Sequence, residues 1–161
     1  MNLRVTINGD LVDLIPYTRE LWHEMWGNYV RDKRISPEPY QYDQLMTERM
    51  YDIRRIDRSR KYFAIHNRKQ GVGDIHLYEI DLDWKKACFR IELVNQKMGN
   101  KGYGSEAIDL LMGYAFNTLG LELLATIVRS DDDKFCHVLE KKGFFCFEER
   151  DGLRYYLRGK Q

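Results

Sequence analysis

The spacing of hydrophobic residues changes several times along the chain, and each spacing predicts a different element. Residues 3–7 and 11–15 read as short strands on either side of a turn at Asn8 and Gly9. From 18 to 32, bulky side chains recur at steps of three and four residues, which predicts a helix with one apolar face. Those side chains are Leu21, Trp22, Met25, Trp26 and Tyr29.

A second helix and a meander of strands follow in the middle of the chain. Pro37 and Pro39 interrupt the first helical pattern, and apolar residues over about 43–55 predict the second helix. Its apolar side is formed by Leu45, Met46, Met50 and Ile53. Alternating residues then predict three strands, and their short connecting turns imply antiparallel pairing. These strands cover 61–67, 71–82 and 85–94.

The C-terminal part alternates helices with strands. A helix is predicted around 107–115, followed by a strand over 121–129 that is apolar on both faces and therefore expected in the middle of a sheet. A further helix over 133–142 ends at Gly143, a residue type that commonly terminates helices. The last two strands form a hairpin that turns at the Asp-Gly pair 151–152. They cover 144–149 and 153–158.

Length and composition narrow the class of protein. With 161 residues the chain is long enough for one buried core and short for two, so we expect a single domain over 1–161. Apolar residues make up 43%, charged residues 32% and the net charge is +1, which is typical of a soluble globular protein without a general nucleic-acid footprint. The apolar runs are short and the first residues do not resemble a signal peptide, so we expect a cytoplasmic protein with no membrane partner. The cysteines form no CxxC pair, and no metal is expected.

A glycine-rich stretch with the sequence NKGYGSEA, Asn100 to Ala107, lies between the third meander strand and the next helix. Such a loop exposes backbone N–H groups at the positive end of the helix dipole, and its glycines let the backbone approach an anion closely. Phosphate binding is therefore the natural inference, with a simple chain-reversing turn as the alternative. Ser105 is expected to cap the helix and contact the phosphate, because no His-Asp arrangement marks it as a nucleophile.

Two nucleotide-binding patterns compete for these residues, and both fail on context. GYGSEA fits the dinucleotide fingerprint G-x-G-x-x-A, with Glu122 at about the expected distance. However, Glu122 begins the next strand instead of ending it, and too little chain follows for a doubly wound sheet. The Walker pattern needs a Lys-Ser or Lys-Thr pair, which does not follow these glycines.

At these residues the chain resembles the GNAT superfamily of N-acetyltransferases. GNKGYG, over 99–104, falls where that family has its R/Q-x-x-G-x-G/A pyrophosphate loop, and HVLEKKGFF, over 137–145, is similar to the family's xVLEKxGF helix end. The order of elements is also similar, and the best match is to the subgroup that includes the ribosomal-protein acetylating enzymes. The resemblance implies an α/β (α+β) GNAT fold, with a mixed, mostly antiparallel central sheet and helices on both faces.

The resemblance also implies that the loop holds the pyrophosphate of acetyl-CoA, the expected cosubstrate. Main chain at Leu93 and Asn95 would pair with the pantetheine arm, and Lys101 would meet a phosphate charge. The implied loop residues are Gly99, Asn100, Lys101, Gly102, Tyr103, Gly104 and Ser105. Asp132 and Phe135 occupy further contact positions, where the family often has Asn and a small polar residue; Gly99 likewise replaces the family's Arg or Gln.

Acetyl transfer to an amine needs a proton acceptor and a donor for the developing oxyanion. Glu92 is the first candidate base because it alternates away from the apolar side of its strand, with a solvated surface carboxylate as the alternative. His76 is the second because histidine is a residue type that commonly relays protons, with a structural role as the alternative. Asp74 and Tyr156 are weaker candidates. A backbone N–H on the strand that carries Glu92 is the expected oxyanion donor. Leu139 stands where many family members have a tyrosine acid, so no tyrosine acid is carried over.

The expected acceptor is a primary amine of a small molecule or a protein N-terminus. By family analogy, the two helices before the meander form one wall of its site, although Trp22, Trp26 and Tyr29 at helical spacing are more typical of a core. A catalytically silent acyl-CoA-binding module and a dinucleotide-binding redox protein stay open as alternatives. No nucleic-acid partner is expected, and a homodimer is left open as an assembly.

Overall fold

The computed structural model describes residues 5–161, which form an eight-stranded sheet with α-helices on both faces. The strands are β1 (Ile7–Asn8), β2 (Asp13–Ile15), β3 (Lys61–His66), β4 (Gly71–Asp81), β5 (Lys86–Leu93), β6 (Leu123–Arg129), β7 (Phe145–Arg150) and β8 (Leu153–Gly159). The α-helices are α1 (Arg19–Gly27), α2 (Gln44–Ile56), α3 (Tyr103–Gly113) and α4 (Asp133–Lys141). Within this described part of the chain, no helix is both long and apolar enough to cross a bilayer.

The described sheet is antiparallel except at one pair of neighbouring strands. Its order is β1-β2-β3-β4-β5-β6-β8-β7, and the parallel pair is β5 with β6. The register of this pair joins Lys86 to Leu123 and ends where Cys88 meets Ala125, although both strands continue. The later parts of β5 and β6 therefore diverge and leave a gap between them.

Each face of the sheet carries its own hydrophobic layer. On one face, Ile75 and Phe89 are fully buried in a cluster that includes Leu111 of α3. On the opposite face, Met25 of α1 packs against Ala64 of β3. Burying an aliphatic or aromatic side chain stabilises a fold by roughly 1.5–3 kcal/mol. These contacts fix α3 and α1 on opposite sides of the central strands.

The predicted fold class, the meander and the C-terminal hairpin are confirmed. The hairpin between β7 and β8 turns at Asp151 and Gly152, whose φ angles of 55° and 77° fit the tight turn that an Asp-Gly pair favours. Gly143 follows α4 with a φ of 89°, as expected for the residue after a helix end. These are features that a few neighbouring residues determine.

The prediction that the first helix extends to residue 32 is wrong. α1 ends at Gly27, and the N–H of Asn28 caps it by donating to the last carbonyl groups. The Val30 N–H then donates to the Val94 carbonyl at 2.8 Å, which draws the chain out beside the end of β5. This contact joins residues that are far apart in sequence, so the spacing of apolar side chains does not reveal it.

Two predicted burial patterns are also wrong. The apolar residues expected on one side of α2 are exposed: Leu45, Met46, Met50 and Ile53. The helix packs instead through Thr47, whose carbonyl accepts a hydrogen bond from the Trp22 indole at 2.9 Å. β6 is an interior strand but is not apolar on two buried faces, because Leu124 and Val128 are buried whereas Ile127 is 48% exposed.

The first turn lies later than predicted. Asn8 belongs to β1 and pairs with Asp13, so the connection between β1 and β2 covers 9–12. The Gly9 N–H donates to the Asp13 carboxylate at 3.2 Å and helps to close this connection. The strand predicted over 3–7 lies partly outside the described residues.

We expect Glu106→Ala to lower the free energy of unfolding by about 1–3 kcal/mol. Glu106 Oε2 accepts the N–H groups of Leu11 at 2.7 Å and Val12 at 2.8 Å, so its loss leaves two donors unpaired and frees the first turn from α3. Urea denaturation measures the difference. Asp109→Ala, on the same helix, is the control because this carboxylate is 60% exposed, so solvent screens its ion pair with Lys142 and its loss should cost less. A loss no larger than that of the control would contradict the anchoring role.

Candidate functional site

The gap between β5 and β6 exposes one edge of β5. On the β4 side, the Val94 N–H donates to the Val72 carbonyl at 2.8 Å, whereas Thr126 of β6 donates to the Phe89 carbonyl at 2.9 Å. Backbone groups of successive strand residues point to opposite sides, so those of Leu93, like those of Phe89, face the gap. This edge can pair with an extended ligand as an added strand would.

The loop between β5 and α3 presents backbone N–H groups without protein acceptors. Asn100 and Gly102 have φ angles of 62° and 84°, so the loop curls through left-handed conformations before the helix begins. In the described structure, the N–H groups of 100–105 have no acceptor, and the Glu106 N–H is the first to bond, to the Gly102 carbonyl at 3.0 Å. Such a cluster at a helix N-terminus stabilises a bound phosphate.

The predicted loop residues differ in what their side chains do. A Cβ placed on Gly104 would meet the Ile91 Cδ1 at 3.6 Å, an ordinary contact, so the protein itself leaves room beside this residue. Gly99 ends a 3₁₀ turn at Gln96–Met98, and its missing side chain offers no contact of the kind that Arg or Gln would give. Lys101 is exposed. The free hydrogen-bond donors of this loop therefore lie mainly on its main chain.

Two further loop residues, Tyr103 and Ser105, lie in the first turn of α3. The Tyr103 hydroxyl accepts a hydrogen bond from the Asn67 amide at 3.3 Å, which turns the ring toward the connection between β3 and β4. The expected capping role of Ser105 is wrong, because Gly102 is the N-cap of α3 and the helix has no side-chain cap. Ser105 lies in the first turn of the helix, where its N–H group is still free for a ligand.

Of the remaining predicted contact residues, Asn95 has an unpaired polar group. Its side-chain oxygen is buried and lacks a hydrogen-bond partner among residues 5–161. Asp132 is already used by the fold, since it caps α4 by accepting the Phe135 N–H at 3.2 Å. The Phe135 ring packs against the core. Asp132 and Phe135 therefore mainly shape the start of α4.

Glu92 lies beside the gap, on the face of the sheet that α1 covers. It pairs across β4 and β5 with Asp74, and Tyr29, from the segment after α1, lies next to it. Burial raises the pKa of Glu92, and the Tyr29 hydroxyl partly offsets this effect. Burial, followed by the nearby Glu92 charge, raises the pKa of Tyr29 to about 12, so this hydroxyl stays protonated. A half-buried carboxylate with a raised pKa suits a general base.

Asp74 lies at the centre of a buried polar network next to Glu92. Its Oδ2 accepts the Tyr17 hydroxyl at 2.6 Å, and its Oδ1 lies 2.8 Å from the His76 Nδ1. The Arg54 Nη1 is 4.0 Å from the same carboxylate. His76 is therefore held by Asp74 one strand away from the gap, and Glu92 is the better placed of the two predicted bases. Neither Tyr17 nor Arg54 is marked by local spacing, because the three-dimensional fold alone brings them to Asp74.

Tyr156, the weaker candidate, lies on the other face of the sheet. It pairs with Thr126 of β6, is fully buried and donates to the Glu140 carboxylate at 2.7 Å. It therefore does not reach the side that carries Glu92. Leu139 is also fully buried, so the position of the family's tyrosine acid is part of the core. Across residues 5–161, no cluster of at least three Asp, Glu, His or Cys side chains is arranged to hold a metal ion.

Residues 10–145 match the profile of the acetyltransferase (GNAT) domain family. Spermidine N(1)-acetyltransferase of Escherichia coli (strain K12) is 30% identical over 136 residues, which make up 83% of this chain and 72% of that protein. The dodecameric spermidine N-acetyltransferase of Vibrio cholerae aligns at 20% identity with a TM-score of 0.73, over 94% of this chain and 95% of its own. PseH is an N-acetyltransferase of Campylobacter jejuni whose crystal structure contains acetyl coenzyme A. It aligns at 22% identity with a TM-score of 0.63, over 73% of this chain and 79% of its own. The two structural likenesses show a shared fold.

We expect Gly104→Val to weaken coenzyme A binding at least about tenfold while the protein stays folded, because an added side chain would occupy space that the loop leaves open. Isothermal titration measures the affinity, and a thermal melt checks the fold. Gly113→Val, in the same helix, is the control, since nothing lies within 4 Å of a Cβ built there. Gly102→Val should also weaken binding, but it additionally strains a backbone with a φ of 84°. Normal affinity in the Gly104 variant would contradict the assignment of the loop.

Proposed function

Because the chain belongs to the GNAT acetyltransferase family, we propose that it transfers an acetyl group from acetyl-CoA directly to a primary amine in a ternary complex. Membership of this family makes it an N-acetyltransferase with acetyl-CoA as its cosubstrate. It also favours turnover over the silent binding module and the dinucleotide-binding redox protein that the sequence left open. We propose that residues 1–161 form one N-acetyltransferase domain. Homodimerisation of the protein stays a prediction.

The observation that carries the proposal is the divergence of β5 and β6 next to a loop of free N–H groups. Acetyl-CoA supplies an activated acyl group, and the main-chain amides of 100–105 would hold its phosphates. The exposed edge at Leu93, continued by the main chain at Asn95, would hold the polar groups of its arm. These contacts leave Glu92 beside the place where β5 and β6 separate, on the face of the sheet that α1 covers.

The proposed chemistry begins with removal of a proton from the acceptor. An amine with a pKa near 10 arrives as an ammonium ion, so Glu92, or a water that it orients, must accept a proton before nitrogen attacks. A main-chain N–H of β5 that faces the gap would stabilise the charge on the carbonyl oxygen, and loss of such a donor typically costs about 3 kcal/mol. A thiol has a pKa of about 8.5, so the thiolate can leave without a dedicated acid, in keeping with Leu139.

The acceptor we propose is a small-molecule amine or a protein N-terminus. The names of the Escherichia coli and Vibrio cholerae relatives place a polyamine among the amines to test. The narrower resemblance to ribosomal-protein acetylating enzymes adds a peptide N-terminus. Release of the coenzyme A thiol with a panel of polyamines, aminoglycosides, amino sugars and peptides tests the proposal. No release above the hydrolysis of acetyl-CoA with any amine would count against it.

Acetyl-CoA should stabilise the protein against heat, whereas NAD should not. A ligand that binds only the folded state at a hundredfold excess over its Kd adds about 2.7 kcal/mol to the free energy of unfolding. A thermal melt with matched concentrations of both compounds measures the difference. The Gly104→Val variant serves as the control, because a tenfold loss of affinity should reduce its stabilisation by acetyl-CoA to about 1.4 kcal/mol or less. Equal stabilisation by NAD would contradict the acetyl-CoA site.

Glu92→Gln should lower kcat by about 10²-fold or more, with coenzyme A affinity unchanged, because it keeps the shape but removes the proton acceptor. In the wild type, kcat/KM should fall as the pH drops through the raised pKa of Glu92, since protonation there removes the base. This acidic limb should be absent from the Gln variant. Tyr29→Phe removes the hydroxyl that lowers this pKa, so the limb should move to higher pH.

Steady-state kinetics from pH 5 to 9 with the best acceptor amine provide these profiles. Glu24→Gln, an exposed carboxylate on α1, is the matched control and should change neither kcat nor the acidic limb. The amine's own titration shapes only the alkaline side. An unchanged kcat and an unchanged acidic limb in Glu92→Gln would leave His76 as the first candidate base.

A further inference from the structure

A second cavity opens away from the phosphate-binding loop. It has a volume of about 730 Å³ and lies between the start of α1, the end of α2 and the start of β3. A volume of roughly 300–1,000 Å³ is typical of small-molecule sites. This cavity lies outside the gap between β5 and β6, and none of the proposed steps of acetyl transfer takes place in it.

The cavity is strongly basic. Five cationic residues line it from the end of α2 to the start of β3: Arg54, Arg55, Arg58, Arg60 and Lys61. Asp57 is the acidic residue that lines it. Arg55 and Arg60 reach carboxylates only at 3.8 and 3.9 Å. Arg58 and Lys61 have no acidic partner among the described residues. Burial lowers the pKa of Lys61, which shows that this ammonium group loses solvent without gaining an anion.

Aromatic rings hold one of these cations in place. The Arg54 guanidinium lies 4.9 Å from the centre of the Trp22 ring and 4.7 Å from that of Tyr62. Its Nη1 is buried and lacks a hydrogen-bond partner within the described part of the chain. The other aromatic residues of the cavity are Tyr17, Tyr51, Phe63 and Tyr114. Arginines between ring faces, with apolar walls around them, suit a compact organic molecule that carries an anionic group.

The cavity also adjoins the proposed reaction centre. Tyr17 lines the cavity and donates to Asp74 at 2.6 Å, and Asp74 is the cross-strand neighbour of Glu92. Tyr17 and Asp74 therefore connect the inner wall of the cavity to the candidate base.

We propose that this basic cavity binds the phosphate monoester group of a small organic molecule. Guanidinium groups bind phosphate through paired, charge-assisted hydrogen bonds, and the partly buried Lys61 adds a further donor. A polyamine carries the same charge as the cavity and is excluded from it. The phosphate compound is either the acceptor itself, in which case the inference rests on the proposed acetyltransferase function, or a separate ligand bound beside the acceptor.

Isothermal titration of the full chain, saturated with coenzyme A so that the loop is filled, tests this inference. The probes are tyramine O-phosphate, tyramine, phenyl phosphate and spermidine. Both phosphate esters should bind at least about tenfold more tightly than tyramine, the size expected of a charge-assisted hydrogen bond, and spermidine should not bind in the cavity. Arg58→Gln and Lys61→Gln should each remove most of this preference. Arg49→Gln, an exposed arginine of α2 outside the cavity, is the control and should bind like the wild type.

Turnover assays distinguish whether the phosphate compound is the acceptor or a separate ligand. If the enzyme acetylates tyramine O-phosphate and the KM for this compound rises in Arg58→Gln, the phosphate compound is the acceptor. If phenyl phosphate binds without competing with the acceptor, the phosphate compound is a separate ligand. Equal affinity for tyramine and its phosphate, or equal affinity of wild type and both cavity variants for the phosphate esters, overturns the inference. Failure to acetylate any amine would count against the proposed function, while the titration would still decide the cavity.

Discussion

The incomplete pairing of β5 with β6 is the constraint on which the proposed mechanism depends. A strand edge inside a sheet normally satisfies its backbone groups through a neighbouring strand, and an unpaired buried N–H or C=O is costly. Here the ladder stops at Cys88 and Ala125, and the Thr126 hydroxyl bridges to the Phe89 carbonyl just beyond it. The main chain that follows is left for a ligand, directly before the loop whose amides also lack acceptors.

The separation of β5 from β6 also determines the surroundings of the Glu92 carboxylate. The strand alternation that points Leu93 main-chain groups into the gap places the Glu92 side chain on the α1 face, next to Asp74. The two carboxylates differ in their partners: Asp74 is held by Tyr17 and His76, whereas Glu92 is half-buried with the Tyr29 hydroxyl beside it. Burial raises the pKa of Glu92, whereas the Asp74 carboxylate is already held by two partners, so Glu92 is our proposed proton acceptor.

The sequence predicts the parts of this arrangement that depend on neighbouring residues. Period-two alternation predicts the meander, and the glycines of 99–104 with the helix that follows predict a loop of exposed N–H groups. The end of α1 could not be predicted, because it follows from the hydrogen bond between Val30 and Val94. The position of Tyr29 beside Glu92 depends on that same contact. The binding and catalytic roles of Glu92, His76 and the loop residues stay predictions.

Hydrogen exchange of the full chain with and without acetyl-CoA tests the central claim most directly, because it reports on the free backbone groups themselves. Our account predicts slower exchange at the amides of 100–105 and at Leu93 when acetyl-CoA binds, with little change in the β7–β8 hairpin. Slower exchange confined to the basic cavity between α2 and β3, with the loop and the end of β5 unaffected, would contradict it.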